Sequence, residues 1–146
     1  MEEDVRLVVP TAFDSELIEQ LAATDFQLQH PSRYFTFIEQ HLPIIGSMAS
    51  GGELLCAKEP ATSSDAWMKV VQAALNRWLV NPSPQTLAIV VGDNMLNYAY
   101  VLQYNQFSKH VGDFFSVPQD TYVLLQEHKL CFQYTYEDEL FLYQVE

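Results

Sequence analysis

At Asn81-Pro82-Ser83-Pro84 the hydrophobic period of this chain changes from that of a helix to that of a strand. Upstream, Trp67, Val70, Val71, Ala74, Leu75 and Trp78 recur at i, i+3, i+4, i+7, i+8 and i+11. That spacing lays one apolar stripe along a helix, with Lys69, Gln72, Asn76 and Arg77 mostly off it. Thr62 to Asp65 offer capping oxygens for its first turn, and the two prolines stop it. Tryptophans in phase with an aliphatic stripe are read as core. Downstream, "TLAIVV" is a run of the buried central-strand kind, Gly92-Asp93-Asn94 is turn chemistry, and "MLNYAYVLQY" alternates. Leu96, Tyr98, Tyr100, Leu102 and Tyr104 fall on one face of that alternation, so a β-hairpin is expected.

The remaining C-terminal sequence continues the strand pattern. "NQFSKHVGDFFSVP" reads as a connection with at most one helical turn, closed by Pro118. "TYVLLQ", "LCFQYTY" and "LFLYQ" read as three more strands, joined by turns at Glu127-His128-Lys129 and Glu137-Asp138-Glu139. In the N-terminal part, "VRLVV" (Val5 to Val9) is expected to form an edge strand ended by Pro10. Asp14 or Ser15 is placed to cap a helix with Leu17, Ile18, Leu21 and Ala22 on one face. A second helix begins at Pro31, carries Tyr34, Phe35, Ile38 and Leu42, and ends at Pro43. "GSMASGG" is a loop and "ELLCAK" a short strand. The expected fold is therefore a single α+β domain over residues 1–146: N-terminal helices packed on a C-terminal antiparallel meander of about five strands.

Charge narrows the functional classes. Nineteen acidic residues against seven basic ones give a net charge of -12. Nucleic acid draws its affinity from Lys and Arg on phosphates, and an anionic membrane repels an acidic chain, so neither is an expected partner. A basic protein is attracted by the same field. The N-terminus "MEEDVRLVVPTAFD" lacks the basic region and longer apolar run of a secretory signal, and no stretch approaches a membrane span. Cys56 and Cys131 sit in apolar surroundings, where free buried thiols are expected ahead of a disulfide. These features predict a cytoplasmic protein.

No catalytic or cofactor signature is present. The four histidines lack HxxxH spacing, and the glycines form neither a GxGxxG nor a GxxxxGK[ST] loop. The acids of Gly92-Asp93-Asn94 and Glu137-Asp138-Glu139 do not continue into an alternating calcium loop. His110 and Asp113 could meet at i, i+3, although Gly112 between them argues against a stable helix there. No metal, cofactor or catalytic residue is assigned, and the chain is not expected to be an enzyme. What stands out is distribution: acids at turns with tyrosines between them in the C-terminal third. Asp113, Asp120, Tyr122, Glu127, Tyr134, Tyr136, Glu137, Asp138, Glu139 and Tyr143 are therefore the candidate partner-binding residues. Strand period places Phe132, Tyr134 and Tyr136 on one face and Phe141 and Tyr143 on another.

The aromatic pair Phe114-Phe115, then Pro118, Thr121-Tyr122-Val123 and "CFQYTYEDELF" resemble the C-terminal pattern of small bacterial immunity proteins that neutralise polymorphic or contact-dependent toxins. The likeness covers about a fifth to a quarter of the chain. It implies a small, cytoplasmic, non-enzymatic protein that binds a cognate toxin, often a basic nuclease, stoichiometrically. The rival readings are an acidic secretion chaperone or adaptor, which predicts a dimer with an apolar groove, and a ligand-binding or enzymatic α+β domain, which predicts one deep pocket.

Overall fold

The computed structural model describes residues 8–41, 44–45, 48–49, 53–56, 64–92, 95–117, 119–135 and 139–144. Among the described residues its frame is a seven-stranded antiparallel sheet with four α-helices, so the class is α+β as expected. In chain order the elements are α1 (Ala12–Gln20), β1 (Phe26–Gln29), α2 (Ser32–His41), β2 (Ile44–Ile45), β3 (Met48–Ala49), β4 (Glu53–Cys56) and α3 (Ser64–Arg77). They continue with β5 (Leu87–Gly92), β6 (Ala99–Gln103), α4 (Tyr104–Phe115), β7 (Thr121–Leu125), β8 (Leu130–Tyr134) and β9 (Leu140–Gln144). The sheet order is β1-β6-β5-β7-β8-β9-β4, and β2 pairs with β3 in a separate two-stranded ribbon.

This order corrects the expected meander in two ways. The β5–β6 hairpin and the β7–β8–β9 meander both form, with Val90 opposite Tyr100 and Cys131 opposite Tyr143. Between them, however, the chain leaves β6, crosses through α4 and returns as β7 on the far side of β5. Strands β6 and β7 are each antiparallel to β5 and so run parallel to one another. Parallel strands need a long crossover, usually helical, which is what α4 supplies. The second correction is that β1 and β4, both from the N-terminal half, form the two ends of the sheet. The β1 strand had no expectation attached to it; β4 takes the first four residues of "ELLCAK", and Ala57 and Lys58 lie outside the described residues.

Helix α4 forms despite Gly112. Tyr104, Phe107, Val111, Phe114 and Phe115 recur at helical spacing and all are buried. A mid-helix glycine costs about 1 kcal/mol, whereas burying one phenylalanine returns about 2 kcal/mol. Three buried phenylalanines therefore decide the matter. On α3 the expected stripe is realised, with Trp67, Val71, Ala74 and Leu75 buried. Its C-terminus closes with Val80 N–H on the Leu75 carbonyl and Leu79 N–H on that of Asn76. That geometry places Leu79 at φ 57, a left-handed conformation that glycine normally takes.

Both faces of the sheet are covered. Helices α1, α3 and α4 pack on one face, in a cluster holding Leu17, Trp67, Tyr100, Phe114, Phe132 and Tyr134. On the other face Tyr34 and Ile38 of α2 join Ile89, Val91, Val101, Tyr122, Leu124, Cys131 and Tyr143. Every residue of β7 and β8 is buried. Their near-continuous apolar runs fit a sheet buried on both sides, not one with a wet face.

Helix α1 is capped by Thr11, not by Asp14 or Ser15: the Thr11 side chain accepts Asp14 N–H while Asp14 accepts Thr11 N–H. Asp14 is fully buried and does more than cap. Its carboxylate also accepts Asn97 N–H at 2.9 Å and the Tyr100 hydroxyl at 2.6 Å. Gln119 Oε1 accepts Met95 and Leu96 N–H. Side-chain acceptors thus replace ladder bonds over residues 95–97, and β6 starts at Ala99 and not at Met95. Gly92 matters for space: a Cβ there would stand 1.9 Å from Gln119 Nε2. The expected turn residues Asp93 and Asn94, most of the "VRLVV" strand, Leu42, Pro43, and the caps Thr62 and Ser63 lie outside the described residues.

Candidate partner-binding surface

The candidate residues divide by burial. Tyr134 is interior, stacked on Phe115 at 4.9 Å and edge-on to Trp67 at 4.8 Å. Tyr122 and Tyr143 are interior on the opposite face, linked through buried Gln133: the Tyr143 hydroxyl donates to Oε1 at 3.0 Å, and Nε2 donates to the Tyr122 hydroxyl at 3.3 Å. Burial pushes the Tyr143 phenol up to about 12, with Cys131 and Glu139 adding to the shift. Asp120 is also buried, at 5% exposure. These four are corrections: a sheet covered on both faces leaves none of them available as a contact anchor. Tyr136, Glu137 and Asp138 lie outside the described residues. The Thr135 and Glu139 backbones bond across that segment, and Tyr134 pairs with Leu140, so β8 and β9 form the expected hairpin.

Three of the ten candidates reach solvent among the described residues. Glu127 is exposed in the tight turn between β7 and β8, where it accepts the Thr86 hydroxyl at 3.1 Å. Glu139 is half-buried at the start of β9. Asp113 is partly exposed on α4 and sits at the end of a hydrogen-bonded chain. In the tautomer protonated on Nδ1, His110 donates to Asp113 Oδ2 at 2.9 Å, and its Nε2 accepts the Thr24 hydroxyl at 3.3 Å. The i, i+3 pairing forms on α4 with Gly112 inside the helix.

Sequence reasoning missed the other half of this locality. Exposed Glu16 and Gln20 on α1 stand beside Asp113 and Ser116 around a cavity of about 120 Å³, with Phe13, Leu17 and Val117 as its apolar lining. The spacing of Glu16 and Gln20 was visible as one helix turn, but which helix that turn faces was not. Exposed Glu19, Asp25 and Asp65 extend the acidic surface further, so outward acids are not confined to the C-terminal third.

Chemically the surface is acidic and amphipathic. Among the described residues no three His, Cys, Asp or Glu side chains group as a metal site. Cys131 is a free buried thiol, and desolvation holds it well above the usual thiol range, so it is a core residue. No helix among the described residues is long and apolar enough to cross a membrane. Compared with known proteins, the chain matches no family model and no curated sequence. The residues that carry the immunity-protein resemblance are largely interior: Phe114, Phe115, Tyr122, Val123, Phe132 and Tyr134 are all buried. The likeness is thus one of core pattern, and the contact surface has to be read separately.

Proposed function

We propose that this chain is an immunity-type protein that binds and neutralises a basic bacterial toxin in the cytoplasm, through its acidic surface. The observation that carries the reading is the net charge of -12, with Glu16, Glu19, Asp25, Asp65 and Glu127 all turned outward. Such a field raises the encounter rate with a cationic partner and disfavours nucleic acid as a competitor. Binding is stoichiometric and non-enzymatic. The buried tyrosines belong to the core beneath that surface and make no contact with the partner. Relative to the sequence expectation, the contact residues shift from the tyrosines to the exposed acids; Asp113 is retained as a contact, and Glu127 adds only to the long-range field.

The test is co-expression with the product of the adjacent gene in a sensitive host. The reading expects rescue of growth and a one-to-one complex whose affinity falls as salt is raised. A toxic product that neither forms a complex with this chain nor is relieved by it would refute the reading.

A further inference from the structure

We infer that the cavity between α1 and α4 is a socket for one basic side chain, an arginine or lysine presented by the partner. The inference rests on the proposed basic partner but can be tested without it. About 120 Å³ is well below the ~300–1,000 Å³ of a typical small-molecule site, so the cavity suits one side chain and not a cofactor. Its lining is split in the way such a side chain is split. Leu17 and Val117 are buried at the apolar wall and Phe13 is half-buried beside them, matching an aliphatic stem. Glu16 and Asp113 are the two acidic residues of the lining, and their carboxylates are the groups to meet the charged head.

Two features suit the socket to a cation. The Glu16 side chain makes no hydrogen bond or ion pair among the described residues, so an incoming cation displaces no internal partner. Asp113 is oriented from behind by His110, which is itself held by Thr24. The chain Thr24–His110–Asp113 has the order of a hydroxyl, base and acid in a hydrolase, yet the cavity sits at the wrong end for that. It is lined by Asp113 and not by Thr24 or His110, so a substrate in it would meet the carboxylate and not the hydroxyl. His110 and Thr24 are accordingly positioning residues for Asp113.

The experiment is an NMR titration of the full chain with N-acetyl-argininamide and N-acetyl-lysinamide, using N-acetyl-norleucinamide as the uncharged control. A single socket predicts a dissociation constant on the order of 1–10 mM, with shifts confined to α1 and the C-terminal half of α4. Glu16→Gln and Asp113→Asn should each weaken binding about 3-fold or more, and ~0.5 M salt should do likewise. Glu127→Gln, at the end of the sheet beside the N-terminus of α4, should leave it unchanged. Glu16→Gln removes no internal contact, so a null result there cannot be blamed on misfolding. Absent shifts, equal shifts with the norleucine control, or indifference to both cavity variants would overturn the socket. Failure here with toxin neutralisation intact removes the socket alone; binding here without neutralisation removes the toxin reading alone.

Discussion

The C-terminal strands β7 to β9 and the α1–α4 flank make opposite use of similar residues. In sequence the strands carry tyrosines between acidic turns and look like a contact surface, while α1 looks like an ordinary capped helix. In the structure Tyr122, Tyr134 and Tyr143 are interior and Asp120 is buried, whereas Glu16 and Asp113 border a cavity open to solvent. Even the two aspartates that join the helices to their surroundings differ. Asp14 is enclosed by four donor groups and locks α1 to the segment before β6. The Asp113 carboxylate has one internal partner among the described residues, His110, and is partly exposed. Residue type gives the chemistry a side chain can perform; the face of the element it occupies decides whether a partner ever meets it.

The contrast breaks most readily at Tyr134. Replacing an aromatic packed on Trp67 and Phe115 by alanine leaves a cavity, and Tyr134→Ala should cost about 3–5 kcal/mol in chemical denaturation. A surface anchor would lose less than about 0.5 kcal/mol.

A smaller effect tests the interior placement of Tyr143 by pH. Tyr143 keeps its proton up to about 12, and so does Tyr104, held up by burial. The unfolded phenols ionise near 10. Between those values the unfolded chain has released protons that the folded chain retains, so stability falls as pH rises. Each such tyrosine contributes a slope of about 1.4 kcal/mol per pH unit, and none of it below pH ~10. Tyr143→Phe should flatten the alkaline decline measured by urea titration at stepped pH. An unchanged slope would mean that Tyr143 is solvated.

The smallest effect sharpens the helical side. Leu79 is 93% exposed and holds a left-handed backbone at the end of α3, so it has strain and almost no packing to lose. Leu79→Gly should stabilise the chain by about 0.5 kcal/mol after the extra flexibility of unfolded glycine is counted. A loss of stability would indicate packing around Leu79 that its exposure denies.

Much of this architecture could be read from periodicity. The α3 stripe, the β5–β6 hairpin and the three last strands each carry a local repeat long enough to fix element type. Helix α4 was legible too, since Phe107, Val111 and Phe114 keep helical spacing, but Gly112 was given more weight than those side chains. The placement of β1 and β4 at the two ends of the sheet was not legible, because edge pairing depends on partners 70 or more residues away. The site was the least legible part. Alternation told which tyrosines share a face, and Phe132 and Tyr134 do share one, opposite Tyr143. It could not tell that α2 closes the second face, which turns every one of those rings inward. The meeting of Glu16 with Asp113 likewise joins helices 97 positions apart and leaves no local trace.

The most direct measurement compares two paired charge reversals against the same basic toxin by isothermal calorimetry. One variant carries Glu16→Lys and Asp113→Lys; the other carries Glu127→Lys and Glu139→Lys, with equal change in net charge. The account predicts a loss of about 100-fold or more in affinity for the first pair and less than about 3-fold for the second. The opposite ranking would return the interface to the C-terminal strands and contradict the account.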